Sequence, residues 1–231
     1  MKSLDEMLLE ELYGIITPNK VEMFDRLAPL KTDYVTTVLE NIYQEHNASA
    51  VLRSCESFGL QSLHVIEKDN TYRVQRDIAR GAGRWVDMHN YSDETPTVTC
   101  LKALKEQGYK IVATTPHQSA YTINNIPLDQ KMALVYGTEK WGISDEVREM
   151  ADEYVSIPMY GFTESFNISV SAAVIMHTLR SRLEESENIN WRMTPEETVA
   201  LKIKWCERII PRGELVVPEI KRRLIRSIQK D

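Results

Sequence analysis

Short apolar runs rich in β-branched residues take turns along the chain with segments whose apolar residues recur every three to four positions. The runs at 34–39 (YVTTVL), 63–67 (LHVIE), 110–114 (KIVAT), 132–136 (MALVY) and 154–159 (YVSIPM) read as strands. Between them the spacing predicts helices over 49–58, stopped by Gly59, near 98–107, from Ser144, and over 167–185. Such alternation predicts an α/β domain with a mostly parallel sheet. The near-continuous apolar runs KIVAT and MALVY fit strands covered on both faces.

Both ends read as helical. Ser3 and Glu6 have capping-box spacing ahead of Met7, Leu8 and Leu12, and Thr17-Pro18 supplies an N-cap and first-turn proline for a second helix ending near Leu27. Periodicity lapses near ENINWRMTPEE, after which Thr194-Pro195 and Glu197 start a new helix. A last helix from Pro218 to position 230 sets Ile220, Leu224 and Ile228 on one side, with Lys221, Arg222, Arg223 and Arg226 around the rest. The organisation predicted is a helical extension over 1–30, a central domain over 31–187, and a basic helical extension over 188–231.

With 231 residues, 42% apolar and 27% charged, the chain can bury a core, and it holds no run of the length that crosses a bilayer. Acids interrupt the apolar N-terminal run, which argues against a secretory signal and for the cytoplasm. Cys55, Cys100 and Cys206 lie far apart, fitting reduced thiols and giving no zinc spacing, and the five histidines do not cluster. No metal is expected. A net charge of −6 argues against nucleic-acid binding over the whole surface, yet positions 202–231 hold nine Lys or Arg against four acids.

Three stretches have the composition of a site. In NASAVLR (47–53), Val51, Cys55 and Phe58 share the inward face, and Arg53 sits about 200° round from Val51, pointing outward. Asn47 is expected just ahead of the helix, in a strand-to-helix loop of the kind where α/β folds place ligand contacts. In LVYGTEKWGISDEV (134–147), Gly137 and Gly142 bracket Glu139, and Ser144 caps a helix that opens with Asp145-Glu146. In VSIPMYGFTESFNISVSAAV (155–174), an apolar strand runs through a small-residue loop into a helix with a fixed inner stripe of Ile168, Ala172, Ile175, Leu179 and Leu183. Singly, each has an ordinary reading as a solvated arginine, a tight turn, or close helix-on-sheet packing. The Gly-x-Gly in GAGRWV (81–86) lacks the third glycine and a preceding strand, and no Walker loop, HExxH or GxSxG occurs.

In this order, NASAVLR, YGTEKWGIS and IPMYGFTESFNIS resemble the three motifs of the SPOUT class of RNA methyltransferases, specifically the SpoU or TrmH family of ribose 2′-O-methyltransferases. The resemblance covers roughly 34–185, and the flanking helices are similar to the extensions of its tRNA guanosine-18 members. Phe166 stands where the family usually has Leu.

The resemblance implies a deep trefoil knot, an exception to unknotted topology, and S-adenosyl-L-methionine bound against it by Thr114, Gly137, Ile157, Met159 and Phe166. It implies a homodimer joined through the knot helices, acting on guanosine 18 in the D loop of tRNA. The same reaction on ribosomal RNA or another tRNA position is the alternative, and an RNA-binding protein without turnover is the alternative of another class. Arg53 matches the family's catalytic arginine. Because guanidinium groups hold their proton at neutral pH, the role expected is chiefly to orient the 2′-hydroxyl. Asn47, Glu139, Ser165 and Asn167 match the remaining polar site positions. Arg180 and Arg182 match positions of RNA contact, and Lys20, Arg26, Arg222 and Arg223 are the RNA candidates outside the core.

Overall fold

A computed structural model describes residues 2–116 and 120–229. In chain order the helices are α1 (Leu4–Tyr13), α2 (Pro18–Leu27), α3 (Glu45–Ser57), α4 (Arg76–Ala79), α5 (Pro96–Glu106), α6 (Asp145–Met150), α7 (Ile168–Glu184), α8 (Pro195–Ile209) and α9 (Gly213–Ile228). The strands are β1 (Val35–Glu40), β2 (Ser62–Ile66), β3 (Asp87–Tyr91), β4 (Lys110–Thr114), β5 (Tyr121–Thr122), β6 (Met132–Tyr136) and β7 (Glu153–Ser156). Two compact units result, one spanning Thr32–Trp191 and one combining Met1–Lys31 with Arg192–Asp231.

In the unit Thr32–Trp191, the seven described strands form a single sheet in the order β3-β2-β1-β6-β4-β7-β5, parallel at every pairing. Side chains of a strand alternate faces. Leu39, Leu63, Leu134 and Tyr136 therefore pack with Val51, Leu52 and Cys55 of α3 and with Ile175, Met176 and Leu179 of α7. Val38, Ile111, Ala113, Ala133 and Val135 point the other way, against Cys100, Leu101 and Leu104 of α5 and Val147 of α6. Covering both faces explains why these strands read as unbroken apolar runs. Each fully buried leucine contributes about 1.5–3 kcal/mol of apolar burial.

Several elements begin, end or pair differently from the pattern predicted by the sequence. Helix α3 begins at Glu45, four residues before the predicted start, because its first turn is polar and carries no apolar stripe. Asn47 is thus inside the helix, its N–H bonded to the Gln44 carbonyl (2.9 Å), and not in the loop before it. Strand β7 ends at Ser156, so Ile157, Pro158 and Met159 leave the ladder, as a proline with no N–H to donate favours. The edge strands β3 and β5 escaped prediction: DMHNY is half solvated and polar, and Tyr121–Thr122 is two residues long. The remaining predicted strands and helices occur near the expected positions.

The second unit packs Leu8 and Leu12 of α1, Phe24 of α2 and Trp205 and Cys206 of α8 as buried side chains. The Phe24 and Trp205 rings lie 5.1 Å apart. Both expected capping boxes form, Ser3 with Glu6 and Thr194 with Glu197. Lys202 pairs with Asp25 (2.6 Å), Lys221 with Asp5 (2.9 Å) and Arg223 with Glu11 (2.7 Å). Helix α9 starts at Gly213, where an added Cβ would lie 2.0 Å from the Glu207 carbonyl oxygen. The predicted starter Pro218 falls inside the helix, and Lys230 lies outside the described residues.

Candidate functional site

Parallel α/β sheets seat ligands beyond the carboxyl ends of their strands, where the strand order reverses. Here the chain passes from β1 outward to β2 and β3, then crosses back to β4 and β6 on the other side of β1. A cleft of about 1080 Å³ lies at that reversal. It is lined by Thr114 and Thr115 after β4, by residues 137–143 after β6, by Ile157 and Met159 after β7, and by 164–168 at the entry to α7. Its size suits a nucleoside-sized ligand. Ile157, Met159 and Phe166 offer apolar surface, and the Thr114 hydroxyl is held by the Val135 carbonyl (2.9 Å). All five residues expected at the cofactor, Thr114, Gly137, Ile157, Met159 and Phe166, line it. No group of three His, Cys, Asp or Glu residues poised for a metal occurs among the described residues.

The turn after β6 is held rigidly. Thr138 and Gly142 exchange two backbone hydrogen bonds of 2.9 Å, and the Trp141 N–H donates to Thr138 Oγ1 (3.0 Å). Gly142 has φ of 69°, the left-handed region that favours glycine. A Cβ on Gly137 would lie 2.1 Å from the Gly142 carbonyl carbon, so no other residue fits there. The far end of the turn is clamped by Glu40, a 4% exposed carboxylate at the end of β1. It accepts the Ser144 N–H (3.0 Å), the Ser144 hydroxyl (2.5 Å) and the Thr97 hydroxyl (3.2 Å). Ser144 in turn caps α6 by accepting the Val147 N–H (3.2 Å).

The three stretches meet at Asn47. Its buried amide donates to Glu139 Oε1 (2.7 Å) and to Gln44 Oε1 (3.1 Å), and its oxygen accepts from Asn167 Nδ2 (3.2 Å). Asn167 Oδ1 then caps α7, accepting the Ser169 N–H (2.9 Å) and hydroxyl (2.7 Å). One hydrogen-bonded chain therefore links the first turn of α3, the turn after β6 and the start of α7. Ser165 is exposed on the cleft wall. The α7 stripe from Ile168 to Leu183 is buried as the sequence predicted.

The structure does not bring every expected residue to this cleft. Arg53 is exposed on α3, about 9 Å along the axis from Asn47 and roughly 240° round. The Arg180 side chain is only 14% exposed, paired with Glu184 (2.7 Å) and stacked 4.3 Å over Trp191. Arg182 donates to the carbonyls of Ile123 (3.0 Å) and Ile126 (2.7 Å), and burial pulls its pKa below the usual arginine value. Both engage their own fold, which explains them without RNA. Lys20, Arg26, Arg222 and Arg223 belong to the other unit. Arg223 is paired with Glu11 and Arg222 with Glu219 (3.1 Å).

Two residues of the network went unnoticed in the sequence. Gln44 carries no pattern that would reveal it. Glu40 does: it is the one charge in the β1 run VTTVLE, every residue of which is buried.

The fold and cleft together define an α/β protein that seats a small molecule at the topological switch point of a parallel sheet. The chain belongs to the SpoU rRNA methylase family, whose model matches residues 34–177. It is 37% identical over 205 residues to a tRNA (guanosine(18)-2′-O)-methyltransferase of Borreliella burgdorferi, covering 89% of this chain and 92% of that one. It is 30% identical over 175 residues to a Thermus thermophilus enzyme of the same name, covering 75% of this chain and 89% of that one. Among solved structures, that of the Aquifex aeolicus TrmH/SpoU tRNA modifying enzyme superposes with a TM-score of 0.73 at 25% identity, over 83% of this chain and 98% of that one.

Proposed function

We propose that the protein methylates the ribose 2′-oxygen of guanosine 18 in the D loop of tRNA, with S-adenosyl-L-methionine as methyl donor. The observation that carries this reading is the hydrogen-bonded chain of Glu139, Asn47 and Asn167 at the cleft, which unites residues of three separate motifs. Relatives of that name match 89% and 75% of the chain and support the choice of substrate.

In this reading Thr114, Gly137, Ile157, Met159 and Phe166 hold the donor, largely through main-chain groups and apolar contact. The donor supplies an electrophilic methyl on a sulfonium. Asn47, Glu139, Ser165 and Asn167 shape the pocket for the ribose. Arg53 stands in solvent, where an incoming phosphate can meet it, and orients the 2′-hydroxyl. The terminal segments, 1–30 and 188–231, contribute to RNA binding.

We also infer that the chain after β7 threads a loop to form a deep trefoil knot. Support comes from the irregular segment 157–167, which shares the cleft with the turns after β4 and β6 before α7 packs against α3. A homodimer through the α7 region is supported by the exposure of Tyr160, Phe162 and Val170. A cytoplasmic location is supported by three buried free thiols, Cys55, Cys100 and Cys206. No described helix is long and apolar enough to cross a membrane.

A tRNA carrying 2′-deoxyguanosine at position 18 tests the acceptor. Methyl transfer disappears if the reading holds and persists if another ribose is the target.

A further inference from the structure

We propose that the segment 73–84, RVQRDIARGAGR, is a docking strip for the phosphate backbone of the tRNA, laid along α3 beside the cleft; the proposal rests on the tRNA reading above. The segment holds four arginines and one aspartate in a chain whose net charge is −6. Arg73, Arg76, Arg80 and Arg84 are all exposed. Arg73, Arg76 and Arg80 form no ion pair among the described residues.

The fold leaves these side chains no inward option. Tyr72, Ala79, Ala82 and Val86 are buried in the cluster that contains Val51, Leu52 and Cys55 of α3. The Gln75 N–H donates to Ser49 Oγ (2.9 Å), the Gln75 amide to Glu45 Oε2 (3.4 Å), and Ser49 Oγ meets the Tyr72 hydroxyl at 3.2 Å. Farther on, Gly83 lies against Leu52, since an added Cβ would sit 3.5 Å from Leu52 Cδ2. The strip therefore follows α3 from its first turn to the residue before Arg53. Just upstream, Asp69 and Asn70 line the cleft itself, so the strip starts at the cleft edge.

Stability does not account for this arrangement. Exposed arginines without acidic partners add little to folding. Arg80 also takes a left-handed backbone (φ 49°) directly before Gly81 (φ 83°), a conformation that strains a non-glycine residue. An asparagine or glycine would sit there with less strain. A guanidinium row held outward suits phosphate oxygens, which arginine meets in two-pronged fashion. By contrast Lys202, Lys221 and Arg223 of the terminal unit are matched to acids of their own unit.

The test is equilibrium binding of an unmodified tRNA transcript across a KCl series, for the wild-type protein, the triple Arg73→Ala/Arg76→Ala/Arg80→Ala variant and the triple lysine variant. S-adenosylmethionine affinity serves as the folding control and stays within about twofold. The alanine variant is expected to lose about tenfold or more in tRNA affinity, with the slope of log K against log salt shallower by about 1 per arginine. The lysine variant keeps the wild-type slope. Unchanged affinity and slope in the alanine variant overturn the strip. The two readings fail separately: tRNA binding that depends on the strip without methyl transfer removes the enzyme reading alone, and methyl transfer with strip-independent binding removes the strip alone.

Discussion

Asn47 Nδ2 donates to Glu139 Oε1 at 2.7 Å, joining the first turn of α3 to a turn 92 residues away in sequence. With a second bond to Gln44 and a third from Asn167, the Asn47 amide orients both walls it touches. Asn47→Ala leaves polar groups on three elements without their partner, a loss of about 1–3 kcal/mol in stability. A displacement of Glu139 or Asn167 by even an ångström lowers kcat roughly tenfold to a hundredfold. A double-mutant cycle with Glu139→Ala, read by chemical denaturation, is expected to give a coupling of at least about 0.5 kcal/mol. Additive losses would show that the contact is incidental.

Glu40 acts on the turn after β6 from behind. Its carboxylate fixes Ser144, and Gly142 and Ile143 just before it line the cleft. Glu40→Ala is expected to raise KM for S-adenosylmethionine more than it lowers kcat, and to cost about 1–3 kcal/mol in stability. Glu40→Gln retains one acceptor oxygen and recovers part of the KM. Steady-state kinetics with both variants checks the clamp, and equal damage to KM and kcat in each would argue against it.

Gly137→Ala forces a Cβ to within 2.1 Å of the Gly142 backbone. The turn has to open, so cofactor affinity falls sharply and the fold loses about 1–3 kcal/mol. Calorimetric titration with S-adenosylmethionine beside a thermal melt measures both. Wild-type affinity in the variant would mean that the turn is softer than its paired hydrogen bonds imply.

A pH effect is expected from His64 in β2, which is 4% exposed, bonded through Nδ1 to the Tyr91 hydroxyl (3.1 Å) and stacked 4.7 Å from His89. Burial, with the neighbouring His89, pushes its pKa down to about 4. The folded protein thus resists protonating His64, while the unfolded chain takes up the proton near pH 6.5. This contribution is complete above pH 6.5 and is lost as pH falls from there toward 4, by up to about 3 kcal/mol. His64→Gln should flatten the stability profile across that window in denaturant titrations. An unchanged profile would assign the acid sensitivity elsewhere.

How much of this was legible depended on how each residue signals. Strands buried on both faces announce themselves through runs such as MALVY, and capped helices through pairs such as Thr194 with Glu197. The polar first turn of α3 carries no apolar period, so the spacing alone puts Asn47 outside the helix that holds it. The solvated edge strand β3 offered no run to read. The motifs named the residues lining the cleft, but no spacing could show that Asn47, Glu139 and Asn167 touch, because that contact is made by the order of strands. The basic tail drew attention by its charge count, whereas the partners that match its cations, Asp5, Asp25 and Glu11, lie near the other end of the chain.

Methyl transfer from labelled S-adenosylmethionine to unmodified tRNA, with the methylated nucleotide mapped and Arg53→Ala and Arg53→Lys run in parallel, decides both the substrate and the role of Arg53. The expected product is 2′-O-methylguanosine at position 18 alone, abolished in the alanine variant and strongly reduced in the lysine one. Absence of transfer to tRNA, or a label mapped to another nucleotide, would contradict the assigned substrate, and full turnover by Arg53→Lys would contradict the role given to Arg53.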